Sequence, residues 1–208
     1  MKHTIKNSTV YLMDCMEGMK QYPNNYFDLA VVDPPYGINI NMNMGRRKGK
    51  KKKHQDKKWD DSTPSDSYFI ELKRISINQI IWGGNYFKLG PCKHFIFWDK
   101  QVPSGLSFSD GEMAWTSYDR SIKKVTSRNI TGDKIHPTQK PTALYDWIYK
   151  NYLPDGGKVI DTHLGSGSNR IAAEKANNID FVGYEIDEDY FKESCKRFEN
   201  HVAQQRLF

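Results

Sequence analysis

The chain has 208 residues, enough for one ordinary domain with a sizeable core. It is 38% hydrophobic and 13% aromatic, which excludes a disordered polymer, and no apolar run reaches the roughly 18 residues of a membrane span. The net charge is +6, but that charge is unevenly spread.

In chain order, Ser8–Met13 reads as a strand and Cys15–Gln21 as a short helix. Phe27–Val32 is a compact β-branched run of the kind that forms a buried parallel strand. Residues 38–66 are polar and rich in Gly and Lys, an inserted loop; a helix follows over Ser65–Ile75 and a strand over Gln79–Trp82. His94–Trp98 and Glu112–Thr116 read as strands, and residues 119–135 as loop. The remainder alternates: helix Thr142–Tyr152, strand Lys158–Asp161, helix Asn169–Asn177, strand Phe181–Glu185, helix Glu188–Val202. Alternation of this kind predicts one α/β domain over 1–208 with a mainly parallel sheet.

Residues 46–58 hold nine Lys/Arg and one Asp, so the other 195 residues sum to −2. The basicity belongs to one loop rather than to the domain. Arg46, Arg47, Lys50, Lys51, Lys52 and Lys53 are therefore the candidates for contact with DNA phosphates, against the alternative of a solvated loop that only aids solubility. The opening Met1-Lys-His-Thr-Ile-Lys has no apolar signal core. Cys15, Cys92 and Cys195 are scattered without metal-ligand spacing, which predicts a reduced, cytoplasmic protein with no metal site.

Two constellations carry chemistry. Asp33-Pro34-Pro35-Tyr36-Gly37 follows the buried strand directly, where ligands of such sheets bind. The prolines stiffen the backbone and leave carbonyl acceptors, Asp33 adds a carboxylate, and Tyr36 offers an aromatic face. That set suits a planar group bearing an NH₂, although Asp-Pro-Pro is also an ordinary turn. The second constellation is a strand ending in Asp161, a turn through Gly165-Ser166-Gly167-Ser168, and a helix start. Arg170 stands where a dinucleotide fingerprint has its third glycine. Glu185, eighteen positions past Gly167 at the next strand's end, is placed for ribose hydroxyls. An adenosine-bearing cofactor without a pyrophosphate fits.

Together these elements resemble the DNA adenine-N6/cytosine-N4 methyltransferase family, in its circularly permuted β class. The resemblance extends to Ile80-Ile-Trp-Gly-Gly-Asn-Tyr86, Phe97-Trp-Asp-Lys100 and His136-Pro-Thr-Gln-Lys-Pro141. It implies a Rossmann-like fold with a seven-stranded sheet and one antiparallel strand, and S-adenosylmethionine as cofactor. By the same resemblance Asp33, Pro34, Pro35 and Tyr36 are catalytic. Asp14, Asp33, His136, Thr138, Lys140, Asp161, Gly165, Ser166, Gly167, Ser168 and Glu185 are expected at the cofactor, Lys140 near its methionine carboxylate. The family usually has Asp-Pro-Phe where this chain has Asp161-Thr162-His163.

The implied reaction is methyl transfer to the N6 amine of an adenine flipped out of double-stranded DNA. Cytosine-N4 methylation is the alternative, though that subgroup more often opens its catalytic element with Ser than Asp. A catalytically inactive DNA-binding module is a further alternative. Pro91-Cys92 resembles the dipeptide of cytosine-C5 enzymes but lies away from Asp33, and Cys92 reads as a packing residue. Residues 102–135 are the candidate target-recognition segment. The last five residues, Gln204–Phe208, resemble the peptide that docks replication proteins on the bacterial sliding clamp, with Gln205 where Leu is usual. The alternative is that they fold back on the domain. A homodimer is left open.

Overall fold

The computed structural model describes residues 1–38, 60–102, 109–128, 134–176 and 178–205. The six basic candidates between Arg46 and Lys53, and residues 206–208 of the clamp-like peptide, lie outside the described residues.

The chain forms strands β1 (Lys2–Ile5), β2 (Ser8–Leu12), β3 (Phe27–Val32), β4 (Ser76–Trp82), β5 (Phe95–Asp99), β6 (Gly111–Thr116), β7 (Lys123–Thr126), β8 (Gly157–Asp161) and β9 (Ile179–Glu185). The helices are α1 (Cys15–Met19), α2 (Asp66–Ile75), α3 (Thr142–Tyr152), α4 (Ser168–Ala176) and α5 (Glu188–Gln205). All strands join one sheet in the order β1-β2-β9-β8-β3-β4-β6-β5-β7. Seven of them are the strands expected from the sequence, and within those seven only β6 is reversed, antiparallel to both β4 and β5.

The sheet therefore has nine strands rather than seven. β1 adds antiparallel to β2, and β7 adds parallel to β5 at the far edge. Both are short edge strands, and residues 119–135 are not all loop. Of Lys123-Lys-Val-Thr126 only Val125 is buried, so no apolar alternation marks it as a strand.

Central strands are covered on both faces, which is why β3 is apolar nearly throughout. Leu29 and Val31 point to one face, packed with Leu144 and Ile148 of α3, Ala172 and Ala173 of α4, and Phe191 of α5. Ala30 and Val32 point to the other, with Met19 of α1 and Phe69 and Leu72 of α2. This sandwich fixes the carboxyl ends of the strands, where the polar side chains converge.

Candidate active site

In the sheet order β2-β9-β8-β3, four neighbouring parallel strands each deliver a carboxylate at their carboxyl ends: Asp14, Glu185, Asp161 and Asp33. At ~4.8 Å per strand spacing the row runs roughly 15 Å. Sequence-distant residues are thus aligned along one edge.

The first three carboxylates are held by backbone or by a short local chain. Asp14 caps α1, accepting from the Met16 N–H at 2.7 Å. Glu185 accepts the Gly165 N–H at 2.8 Å on one oxygen and those of Ile186 and Asp187 at 3.0 Å on the other. Burial nonetheless raises its pKa above the ordinary range. Asp161 accepts from Asn169 Nδ2 (2.9 Å) and the His163 N–H (3.1 Å). Tyr149 in turn donates its hydroxyl to the Asn169 side-chain oxygen. Asp161 is only 3% exposed, and that burial pushes its pKa up to about 7.

The glycine turn closes this half. Gly165 and Gly167 take φ of +50° and +70°, a backbone that L side chains rarely adopt. Arg197 of α5 donates to the Ser166 carbonyl at 2.8 Å and to Ser168 Oγ at 2.9 Å, so both serines are buried behind the turn. His136 packs edge-on to Tyr190 and lies beside Gly165, with its Nδ1 3.0 Å from Thr138 Oγ1. His163 meets the Tyr68 ring edge-on, and burial lowers its pKa to about 4. At neutral pH it is an uncharged ring where the family has Phe.

Asp33 is held differently, by side chains from distant segments. Tyr36 donates its hydroxyl to Asp33 Oδ1 at 2.6 Å, and Lys140 donates to Oδ2 at 2.6 Å. Lys140, 4% exposed, also meets Glu112 Oε2 at 2.9 Å and Tyr36 Oη at 3.2 Å. Its three N–H donors have three acceptors, and its ammonium sits among the side chains of Asp33, Tyr36 and Glu112. Glu112 then binds Lys100 at 2.5 Å through its other oxygen. Glu112 pairs with Trp98 across the β5–β6 hairpin, which puts Lys100 at the diagonal cross-strand position.

The charges shift one another. Burial raises the Asp33 pKa, Lys140 opposes that, and Glu112 adds to it. Burial opposes ionisation of Glu112 too, yet Lys140 and Lys100 together pull it down to about 2. Glu112 has two lysines and Asp33 one, so Asp33 is the weaker acid of the pair. Burial also works against the Lys140 charge, but Asp33 and Glu112 override it and hold its pKa above the ordinary value.

The Tyr36 ring stacks on Tyr86 at 4.9 Å between centroids and 12° between planes. Gly83 (φ +69°) lies beneath it, where an added Cβ would sit 2.2 Å from the ring. Asp60 accepts the N–H groups of Tyr36 (2.8 Å) and Gly37 (3.0 Å), tying the end of the inserted segment to the catalytic element. Lys100 stood in the Phe97–Lys100 motif without a role, and Glu112 and Asp60 were not among the residues the sequence marked. Cys92 lines a cleft with Ser76, Ile77 and Ser117 where β4 begins, at the opposite end of the sheet from Asp33.

A family model described as DNA methylase matches residues 81–196, and the chain belongs to that family. It is 25% identical to the type II methyltransferase M.HinfI of Haemophilus influenzae over 95% of this chain and 70% of that protein. It is also 25% identical to the type II methyltransferase M2.DpnII of Streptococcus pneumoniae, over 68% of this chain and 49% of that one. Thus it spans 70% of the length of the first of these relatives and about half that of the second. The solved complex of M1.HpyAVI with S-adenosylmethionine superposes with a TM-score of 0.60 at 19% identity, over 90% of this chain and 98% of that one.

Proposed function

We propose that the chain is an S-adenosylmethionine-dependent DNA methyltransferase that methylates N6 of an adenine flipped out of the duplex. The observation that carries the reading is the row Asp14, Glu185, Asp161 and Asp33 on four adjacent strand ends, with the Pro34-Pro35-Tyr36 element completing its last member. The donor set fits the cofactor. Carboxylates suit ribose hydroxyls and an ammonium group, the glycine turn admits a close backbone approach, and the uncharged ring of His163 and the His136 ring flank it. When bound, S-adenosylmethionine supplies an electrophilic sulfonium methyl.

Adenine N6 is a weak nucleophile because its lone pair is conjugated into the ring. The Asp33 carboxylate retains acceptor capacity beyond its bonds to Tyr36 and Lys140. Together with the Pro34 carbonyl it would accept both amine hydrogens, favour a tetrahedral nitrogen and free the lone pair for in-line attack. Positioning and electrostatics then carry the step. Extrusion of the base costs a few kcal/mol, offset by stacking worth ~1–3 kcal/mol on the Tyr36–Tyr86 aromatic pair. Asp at position 33 favours adenine over cytosine N4. The basic run around Lys50–Lys53 would neutralise DNA phosphates, and residues 102–135 would read the target. The type II methyltransferase names of the relatives suit a DNA modification enzyme.

The test is mass analysis of nucleosides from DNA incubated with the protein and methyl-labelled S-adenosylmethionine. Labelled N6-methyladenine is expected. Labelled N4-methylcytosine alone would overturn the adenine assignment, and no labelled base would overturn the enzyme reading.

A further inference from the structure

Asp33, Glu112, Lys140 and Lys100 form an ionic set of two carboxylates and two ammonium groups, from just past the ends of β3 and β5, from β6 and from the segment before α3, with the Lys134 ammonium acting electrostatically on Glu112, Lys140 and Lys100. Nothing in the methyl-transfer step requires Glu112 to touch a substrate, yet it is a largely buried carboxylate bonded on both oxygens. Burying a charge in this way is costly unless it is paired. Its place in the set gives it a task. Lys140 lies between two carboxylates, so each competes with the other for its protons. Lys100 in turn competes with Lys140 for Glu112.

We infer that Glu112 is a positioning residue: balanced by Lys100, it draws Lys140 partly away from Asp33 and thereby sets how strongly Asp33 accepts hydrogen bonds from the substrate amine. With Glu112 neutralised, Lys140 would fall wholly to Asp33, and the net charge of the set, Asp33 included, would become +1. The acceptor would then be a better-satisfied, weaker base. With Lys100 neutralised, the opposite follows. Glu112 would claim more of Lys140, and Asp33 would become a stronger base that protonates at higher pH. The other titratable groups facing Asp33 are Tyr36 from its own loop, Tyr68 from α2, Tyr145 from α3 and Asp161 from β8. Burial raises the pKa of each tyrosine. Of these groups only Asp161, at about 7, titrates near the expected range, and neither substitution changes it.

The inference rests on the reaction proposed above, but its primary readout is independent of activity. In full-length protein carrying ¹³C-carboxyl aspartate, with an Asp33→Asn sample to assign the resonance, the Asp33 titration midpoint is followed by NMR. Glu112→Gln should lower the midpoint and Lys100→Met should raise it, each by roughly half to one pH unit. The acidic limb of single-turnover methylation should move the same way in each variant, with the maximal rate of Glu112→Gln about tenfold down. S-adenosylmethionine affinity should stay within about twofold of wild type, because the cofactor carboxylates lie across β8 and β9. A merely structural Glu112 would lower the rate without moving either midpoint. Unchanged midpoints, or shifts in the same direction for both variants, would overturn the inference. Should Glu112→Gln fail to fold, Lys100→Met alone decides by the presence or absence of its upward shift. If midpoints move as stated while wild-type protein methylates no DNA, the functional reading fails and the coupling stands.

Discussion

The two halves of the carboxyl edge are built by different means. On the β2-β9-β8 side, Glu185 is held by three backbone N–H groups, Asp14 by one, and Asp161 by a backbone N–H and a neighbouring asparagine. On the β3-β4-β6-β5 side, Asp33 is held by side chains, one of them 107 positions away. A backbone cradle persists when any one side chain is changed. An ionic side-chain cluster does not, because removing one member leaves a buried charge uncompensated. The cofactor half should therefore fail locally, and the catalytic half as a unit.

The largest expected effect is on Asp33. Asp33→Ala should cut methyl transfer on the order of 10²–10³-fold or more, while S-adenosylmethionine still binds, as calorimetry would show. A parallel loss of cofactor binding would erase the distinction between the halves. Next comes Lys140→Met, which strands two buried carboxylates. Breaking a buried pair this way typically costs about 3–5 kcal/mol, less here to the extent that Lys100 still balances Glu112. Thermal unfolding should show a large drop in Tm, greater at pH 8 than at pH 5, where protonation of Asp33 relieves the unpaired charge. The sign follows from burial, the largest influence on Asp33, which raises its pKa further once Lys140 no longer opposes it.

The same contrast explains what the sequence made legible. Seven strands were readable from short apolar and aromatic runs, one of them β-branched, and the cofactor half from strand–turn–helix units whose members are neighbours in the chain. Edge strands β1 and β7 were not, because β1 has no fully buried residue and β7 only Val125, which leaves no run of buried positions to read. Glu112, and the role of Lys100 within its Phe97–Lys100 motif, were hidden for another reason. Each sits at the end of a strand whose other residues dominate its pattern, and only the hairpin register brings them together. The available signal was a charged residue at the mouth of each of two apolar strands, Trp98-Asp-Lys100 and Gly111-Glu-Met113. Asp60 was masked by the basic run before it.

Glu185→Ala should weaken S-adenosylmethionine binding by about 1.5–3 kcal/mol, the cost of a lost charge-assisted hydrogen bond. The rate at saturating cofactor should change little, since Glu185 ends β9, which β8 separates from β3 and Asp33. Wild-type affinity would show that Glu185 only braces Gly165. Smaller still is a pH effect. Burial places the Asp161 pKa at about 7, so the carboxylate that would hold a cationic cofactor forms only as pH rises through that value. Affinity should therefore increase from pH 6 to 8, by up to about tenfold. Titration calorimetry of Asp161→Asn should show weaker binding that no longer varies with pH in this range, and a persistent slope would assign the effect to another group.

The smallest effect should come from Tyr36→Phe, and it separates the two roles of that side chain. The ring stacks on Tyr86 and lies over Gly83, and phenylalanine keeps both contacts. Only the hydroxyl is lost, and with it the 2.6 Å hydrogen bond to Asp33. Such a bond is worth about 0.5–1.5 kcal/mol, or somewhat more to a charged acceptor, so the rate should fall roughly three- to tenfold. Because that bond favours the ionised carboxylate, its loss should also move the acidic limb of the pH–rate profile upward. Tyr36→Ala removes the ring as well and should reduce the rate much further, since the base would lose its stacking partner. Equal losses in the two variants would show that the hydroxyl, held in the ionic cluster, carries the contribution of Tyr36 and that its ring does not.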